Sequence, residues 1–418
     1  MSRFSFLTID ILTLTIKDSF FMSFYQKNRR PAYGQYKVAP RSSSSRRGPK
    51  KENIHPSRFI KAARPTEQVE YVPKNAFADF EVHQLLHDNI VKKGFITPSP
   101  IQDEAIPFGL EGRDVIGIAN TGTGKTVAFA VPMLHRLMSN PASSALIMAP
   151  TRELAEQILE ECKMLARGSG LFGTLLIGGA AMGPQLRDLQ QKPSVVIGTP
   201  GRIKDHLERG SLNLSKFDHV VLDEVDRMLD MGFVNDMRDI LAMVAKERQS
   251  YFFSATLDSK VRALIDDFSK DPVTVSVKTG DTADSVEQNI VSYGSSTDKI
   301  EKLHDLLISD AAARVLIFDD TQRSVERLSI TLQERGFKAD SIHGGKSQGQ
   351  RQRALSKFKS SQTNVLVATD VAARGIDVSD ITHVINFSTP QSYSDYVHRI
   401  GRAGRAGKTG IALTFIEA

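Results

Sequence analysis

From about residue 77 onward, short apolar runs alternate with longer amphipathic stretches. The short runs fall near 114–118, 145–149, 174–177, 194–198, 219–223, 250–254 and 273–277. A second set follows near 288–293, 314–318, 339–342, 364–368, 383–387 and 410–416. Apolar runs of this length, such as Val220-Val221-Leu222, predict strands buried on both faces. Strands alternating with helices predict an α/β fold with mainly parallel sheets flanked by helices. The polar stretch Thr279-Gly280-Asp281-Thr282-Ala283-Asp284 separates the two sets and reads as a linker. The expected organisation is an N-terminal extension over 1–76, a first domain over 77–278, a linker over 279–287 and a second domain over 288–418. No repeat at a fixed period relates the two sets.

The extension has a different pattern. Residues 4–25 are fairly apolar, but Asp10, Lys17 and Asp18 break them, so no run reaches the length of a membrane span. Only Arg3 precedes the apolar run and no small-residue cleavage site follows, which is a poor fit to a secretory signal. Met22 opens a more plausible start, and residues 1–21 read as an over-extended one. Residues 26–65 are basic, Ser-rich and of low complexity, with too little apolar surface to fold alone. They read either as a non-specific phosphate-binding arm or as a solubilising tail. The chain stops at Ala418, directly after the last predicted strand, which leaves open whether a covering helix follows.

Charge sharpens this division. Residues 1–74 hold 15 Lys+Arg against 5 Asp+Glu, a balance of +10 that leaves −4 for the rest of a chain whose net charge is +6. A nucleic-acid site in the folded part must therefore be a local patch. At 418 residues the chain is long enough for two domains with real cores. The single cysteine, Cys162, excludes an intrachain disulfide and any cysteine-based metal site, and fits a reducing cytosol.

Candidate chemistry begins at Ala119-Asn120-Thr121-Gly122-Thr123-Gly124-Lys125-Thr126. A predicted strand precedes it and a predicted helix follows. Gly122 and Gly124 would let backbone N–H groups approach a polyphosphate, and the helix N-terminus adds a favourable dipole. Thr121 and Thr123 belong to the same loop. Lys125 would reach the outer phosphates and the Thr126 hydroxyl would hold Mg²⁺. Ala119 stands where the common pattern has Gly. The strand over 219–223 ends in Asp223-Glu224, where α/β sheets place their ligands. Asp223 would hold Mg²⁺ through water, and Glu224 would polarise an attacking water.

Asp223-Glu224-Val225-Asp226, continuing Arg-Met-Leu-Asp-Met-Gly-Phe to residue 233, resembles the DEAD-box RNA helicase family, with Val225 in place of the usual Ala. Further motifs of that family stand in order over 77–418. Gly94 to Gln102 resembles its adenine-reading motif. The resemblance implies that Gln102 reads the adenine edge, with Phe95 in the same motif. Phe77, 17 positions before Gly94, matches an isolated upstream aromatic or is a core residue. Pro150-Thr151-Arg152, Gly178-Gly179 and Thr199-Pro200-Gly201-Arg202 resemble its RNA-backbone motifs, which grip phosphates without reading bases. Ser254-Ala255-Thr256 resembles its coupling motif, whose hydroxyls would bond to Asp226.

In the second domain, residues 368–377 resemble the fifth motif, implying Thr369 at the RNA backbone and Asp377 at the ribose. His398-Arg399-Ile400-Gly401-Arg402-Ala403-Gly404-Arg405 resembles the sixth, with Ala403 where Thr is usual. It implies a coupling role for His398 and arginine fingers at Arg402 and Arg405 that reach the γ-phosphate only when the domains close. Leu316-Ile317-Phe318-Asp319-Asp320-Thr321 stands at the fourth motif, departing from it at 319–320. His343-Gly344-Gly345 and Gln348 to Arg351 also match, and put Arg351 at the RNA.

The resemblance therefore implies two tandem RecA-like domains that bind ATP with Mg²⁺ in a cleft and lay single-stranded or short duplex RNA across both. The expected activity is RNA-dependent ATP hydrolysis with local unwinding, by a cytoplasmic, monomeric core with no membrane contact. Two alternatives stand beside it: an ATP-gated RNA clamp or annealing chaperone, and a DNA-directed helicase of the same superfamily. No His, Cys, Asp and Glu cluster with ligand spacing is present, so Mg²⁺ carried with ATP is the only ion invoked.

Overall fold

The computed structural model describes residues 54–63, 71–120, 122–277, 286–309, 312–373, 378, 380–404 and 409–418. The first strands are β1 (Val115–Ile118), β2 (Ala145–Met148), β3 (Gly173–Leu176), β4 (Val195–Gly198), β5 (His219–Asp223), β6 (Gln249–Ser254) and β7 (Val273–Ser276). They form a seven-stranded sheet in the order β3-β4-β2-β5-β6-β1-β7, and every pairing is parallel. The second set is β8 (Val286–Tyr293), β9 (Val315–Phe318), β10 (Ala339–Ile342), β11 (Val365–Ala368), β12 (His383–Asn386) and β13 (Gly410–Glu417). These form a six-stranded parallel sheet, β10-β11-β9-β12-β13-β8. Two RecA-like lobes result. β8 starts at Val286, inside the stretch expected to be linker.

Alternation along each strand explains the layering. Successive side chains point to opposite faces, so a strand covered on both sides must be apolar throughout. In β2, Ala145 and Ile147 enter one core and Leu146 and Met148 the other. In β9, Leu316 and Phe318 face one side while Val315 and Ile317 face the opposite side. Each fully buried Leu, Ile, Val, Met or Phe side chain of this kind contributes roughly 1.5–3 kcal/mol. Cys162, buried on the helix Arg152–Leu165, packs in the first of these cores.

The extension does not behave uniformly. Residues 1–53 and 64–70 lie outside the described residues, and with them most of the expected basic arm. Pro56–Phe59, within that arm, form a 3-10 turn packed on the second lobe, with Phe59 in its core. Lobe 2 supplies the apolar surface that the segment lacks. Among the described residues no helix is long and apolar enough to cross a membrane.

Candidate functional site

Sheet order sorts the first-lobe motifs into two groups that chain order interleaves. The loop after β1, the acidic pair after β5 and Ser254-Ala255-Thr256 after β6 sit on three adjacent strands. Pro150-Thr151-Arg152 after β2, Gly178-Gly179 after β3 and Thr199 to Arg202 after β4 sit on the other three. One half of the sheet edge thus carries the glycine-loop cradle and the carboxylates, and the other is a row of turns and helix starts.

In the cradle, Gly122 and Gly124 have φ of 83° and 88°, a region that side chains strain to adopt. A Cβ on Gly124 would also collide with the Gln102 amide, so only glycine closes this loop against the neighbouring motif. Gln102 Nε2 donates to the Gly124 carbonyl at 3.0 Å and its Oε1 accepts from Ser99 N–H at 2.8 Å. Each end of that amide keeps one further hydrogen-bonding position. Ser99 Oγ donates to the Thr123 carbonyl at 2.7 Å. Lys125, 6% exposed, points back along the loop and donates to the Ala119 carbonyl at 3.0 Å. Thr126 follows it in the first turn of the helix Lys125–Ser139. Phe77 is buried and stacks on Phe95 at 5.5 Å, so Phe95 is the partly exposed ring of the pair. Thr121 is outside the described residues.

Beside the cradle, Asp223 and Glu224 are both buried at the end of β5. Glu224 takes a left-handed conformation (φ 55°), uncommon for a residue with a side chain and here the hinge between strand and helix. Burial pushes the Asp223 carboxyl up to about 6, opposed by Lys125 and assisted by the negative charge of Glu224. A carboxylate so penalised is one that a bound dication would relieve, which fits Mg²⁺ at this position. Burial acts upward on Glu224 too, but Arg227 first, then Lys125, Arg402 and His398 outweigh it and hold the carboxyl below its ordinary value. Arg227 Nε lies 3.4 Å from Glu224 Oε2. Asp226 Oδ2 accepts from the Ala255 and Thr256 N–H groups at 3.1 and 3.2 Å and from the Thr256 hydroxyl at 3.4 Å. The Ser254 hydroxyl meets Asp226 differently, accepting its backbone N–H at 3.4 Å.

On the other half, Thr151 caps the helix Arg152–Leu165, its hydroxyl accepting from Leu154 N–H at 3.3 Å. Arg152 lies against Gly179 (φ 77°), where any Cβ would strike the guanidinium. Burial, then the nearby Arg351, lowers the pKa of Arg152. Pro200 opens the helix Pro200–Glu208, leaving Gly201 exposed, and Arg202 Nη1 donates to the Ala180 carbonyl at 3.3 Å.

The second lobe faces this edge. Arg227 from lobe 1 shares a narrow crevice with Asp370, His398, Arg399 and Arg402 from lobe 2. Arg402 is 3% exposed. Thr369 is buried at the end of β11. Arg351, expected at the RNA, is instead almost wholly buried between the lobes, with Nη2 2.7 Å from Glu153 Oε1. Gln348 Nε2 donates to Glu156 at 2.7 Å beside it. Asp377 and Arg405 fall outside the described residues. Among the described residues no His, Cys, Asp and Glu group is arranged to hold a metal unaided.

A model of the DEAD/DEAH box helicase matches residues 99–264, and one of the helicase conserved C-terminal domain matches 298–407. The chain belongs to the DEAD-box helicase family. It is 43% identical over 343 residues to "ATP-dependent RNA helicase CshA" of Listeria monocytogenes, covering 82% of this chain and 66% of that protein. It is 42% identical to "DEAD-box ATP-dependent RNA helicase CshA" of Bacillus subtilis, covering 81% of this chain and 69% of the relative. The chain thus spans about two thirds of these helicases' length. The structure of Dbp5 of S. cerevisiae bound to RNA and ADP BeF3 aligns with a TM-score of 0.72 and 28% identity, covering 82% of this chain and 90% of that one.

Three residues of this helicase site carry no signal of their own in the sequence. Arg227, Glu153 and Asp370 lie inside motifs, but only the packing shows their partners: Glu224, Arg351 and Arg399. Both carboxylate oxygens of Asp370 accept from one edge of the Arg399 guanidinium, Nε and Nη2, at 2.6 Å, which makes Arg399 a brace within lobe 2.

Proposed function

We propose that this chain is an ATP-dependent RNA helicase, coupling ATP hydrolysis to RNA binding and local unwinding of short duplexes. One observation carries the reading most: Arg227, the lobe-1 partner of Glu224, shares a crevice with the lobe-2 groups Arg402 and His398. A hydrolytic site so divided is complete only when the lobes meet.

Gly122 to Thr126, with Lys125, hold the phosphates, and Gln102, packed on the same loop, reads adenine with its remaining donor and acceptor positions. Phe95, lying over Phe77, covers the base. Mg²⁺ carried with the nucleotide would be held by Thr126 and, through water, by Asp223, and would neutralise phosphate charge. Glu224 orients a water whose oxygen bonds to the γ-phosphorus as the bond to the bridging oxygen of ADP breaks. The water's proton leaves through the carboxylate to solvent. Arg402 stabilises the charge on the transferred group, and Arg405 and Asp377 are assigned to the finger and ribose positions by motif alone.

RNA would run over Pro150, Thr151, Arg152, Gly179, Thr199, Pro200, Gly201 and Arg202, with Thr369 from the second lobe. These backbone contacts are sequence-blind, and the 2′-hydroxyl is the handle that separates RNA from DNA. Arg351 is reassigned from RNA contact to joining the lobes. Asp226, bonded to Ser254-Ala255-Thr256, links the acidic pair to the element that precedes the lobe boundary. ATP favours the closed state because Arg402 meets it only there, and hydrolysis removes that difference. We place the activity in the cytoplasm, in a monomeric core. The deciding experiment is ATP turnover by the protein alone, with single-stranded RNA, and with DNA of the same sequence. Stimulation by RNA only supports the helicase and equal stimulation by DNA favours a DNA-directed enzyme. RNA retained with ATP but neither stimulation nor strand displacement favours a clamp.

A further inference from the structure

Lobe 2 is completed by residues that precede lobe 1 in the chain. Lys61 pairs antiparallel with Gln288 of β8: Lys61 N–H donates to the Gln288 carbonyl at 3.0 Å and Gln288 N–H donates back at 2.8 Å. Phe59, 1% exposed, enters the core of lobe 2 beside Ile54. Its ring meets Tyr396 edge-on at 4.7 Å, and the Tyr396 hydroxyl donates to Gln288 Oε1 at 3.0 Å. The Arg58 guanidinium lies 3.6 Å over the ring of Tyr393.

Both tyrosines belong to one element, the helix Tyr393–Ile400. That helix carries His398 and Arg399 and leads through Gly401 into Arg402. At eight residues it is too short to hold itself in place by its own hydrogen bonds. Arg399 ties it to Asp370 from within the lobe. Gln288 of β8 holds the Tyr396 hydroxyl, and residues 54–61 add Phe59 against the Tyr396 ring and Arg58 over the Tyr393 ring.

We infer that residues 54–61 are a positioning clamp for the arginine-bearing helix: Phe59 and Arg58 set its placement on lobe 2, and thereby where Arg402 stands in the crevice it shares with Arg227, the partner of Glu224. The inference rests on the reading of Arg402 proposed above. Displacing a group that acts on the transition state by about 1 Å costs up to about 100-fold in rate. Nucleotide binding, carried mainly by lobe 1, is spared. A segment that merely filled a gap would change stability and leave turnover by folded protein unchanged.

The test uses the full chain and RNA-stimulated ATP turnover of Phe59→Ala, Phe59→Leu, Arg58→Ala, Arg402→Ala and the double variant Phe59→Ala with Arg402→Ala. Arg58 is exposed, so its substitution reports on the clamp even where Phe59→Ala fails to fold. The expected result is a loss of kcat of about tenfold for Phe59→Ala and a few-fold for Arg58→Ala, with KM for ATP within about twofold of the parent. Phe59→Leu restores most of it. The double variant is no slower than Arg402→Ala alone, since both act through one group. Parental kcat in folded Arg58→Ala and Phe59→Ala, or losses that multiply in the double variant, overturn the clamp. Parental turnover by Arg402→Ala removes the finger assignment, and the clamp defined through it.

Discussion

Arg351 of the second lobe and Glu153 of the first meet at 2.7 Å with both side chains almost wholly out of water. Burial raises the pKa of Glu153, and Arg351 is the largest force opposing that. Neither charge is well accommodated without the other. The pair is a buried charge contact between the lobes. In ATP-dependent RNA binding, Arg351→Ala and Glu153→Gln should each weaken affinity by tenfold or more, and the double variant by less than their product. A coupling energy of about 0.5–3 kcal/mol is expected; fully additive effects would show that the pair does not join the lobes in solution.

Lys125→Ala should lower ATP turnover by at least about 100-fold in protein that still melts as one cooperative unit. Its ammonium serves the loop after β1 and is not a packing element of either core. Steady-state kinetics beside a melting curve checks both halves, and ordinary turnover would remove Lys125 from the phosphate site.

Glu224→Gln should retain ATP binding and lose hydrolysis by about 100-fold or more. Glutamine keeps the shape beside Arg227 but can no longer take up the water's proton. Nucleotide binding measured alongside single-turnover hydrolysis separates the two. Parental hydrolysis would exclude Glu224 as the water-orienting group.

His206, fully buried on the helix that starts at Pro200, contacts Ser211 Oγ at 2.8 Å and Gln185 Oε1 at 3.3 Å. Burial, then Arg202, lowers its pKa. A folded value below the unfolded one favours the neutral ring in the native state. Its contribution is thus fully present above about pH 6.5 and is lost as pH falls through the folded value. The stability advantage of the parent over His206→Gln should accordingly shrink between pH 7.5 and pH 5, measured by denaturant unfolding at each pH. A pH-independent difference would mean that His206 is protonated as readily in the fold as out of it.

Removing residues 1–53 should weaken RNA binding and flatten its dependence on salt, because the basic charge of the extension is concentrated there. Residues 54–61 stay in that truncation, so lobe 2 keeps its packing. An unchanged salt slope would leave the extension a solubilising tail.

The fold class was legible because its signal is local. Buried parallel strands must be apolar along their whole length, so Val220-Val221-Leu222 or Val315 to Phe318 announce themselves without a partner in view. The cradle was legible for a related reason: Gly122, Gly124, Lys125 and Thr126 act as neighbours on one turn, and spacing along the chain is spacing in space. Asp226 with Ser254-Ala255-Thr256 could be paired in advance only through resemblance, since 28 residues separate Asp226 from Ser254.

Other features depended on tertiary structure. Arg351 has the same sequence context whether it grips a phosphate or Glu153; the packing of the helix Gln348–Lys359 against lobe 1 chose the second. Phe77 and Phe95 look equivalent as aromatics, yet one is sealed and the other half open. Residues 54–61 read as part of a polar arm because Phe59 and Ile60 are too few to fold, and the core that accepts Phe59 is encoded more than two hundred residues later. Which segments are strands, which turn brings Gly122, Gly124 and Lys125 together and where the acidic pair stands were fixed by the chain alone, since these follow from local backbone and side-chain chemistry. Which strands lie side by side, and so which motifs form one site, and which charges face each other across the lobes, was decided by burial of surfaces distant in the chain. That burial is a property of the whole packed molecule.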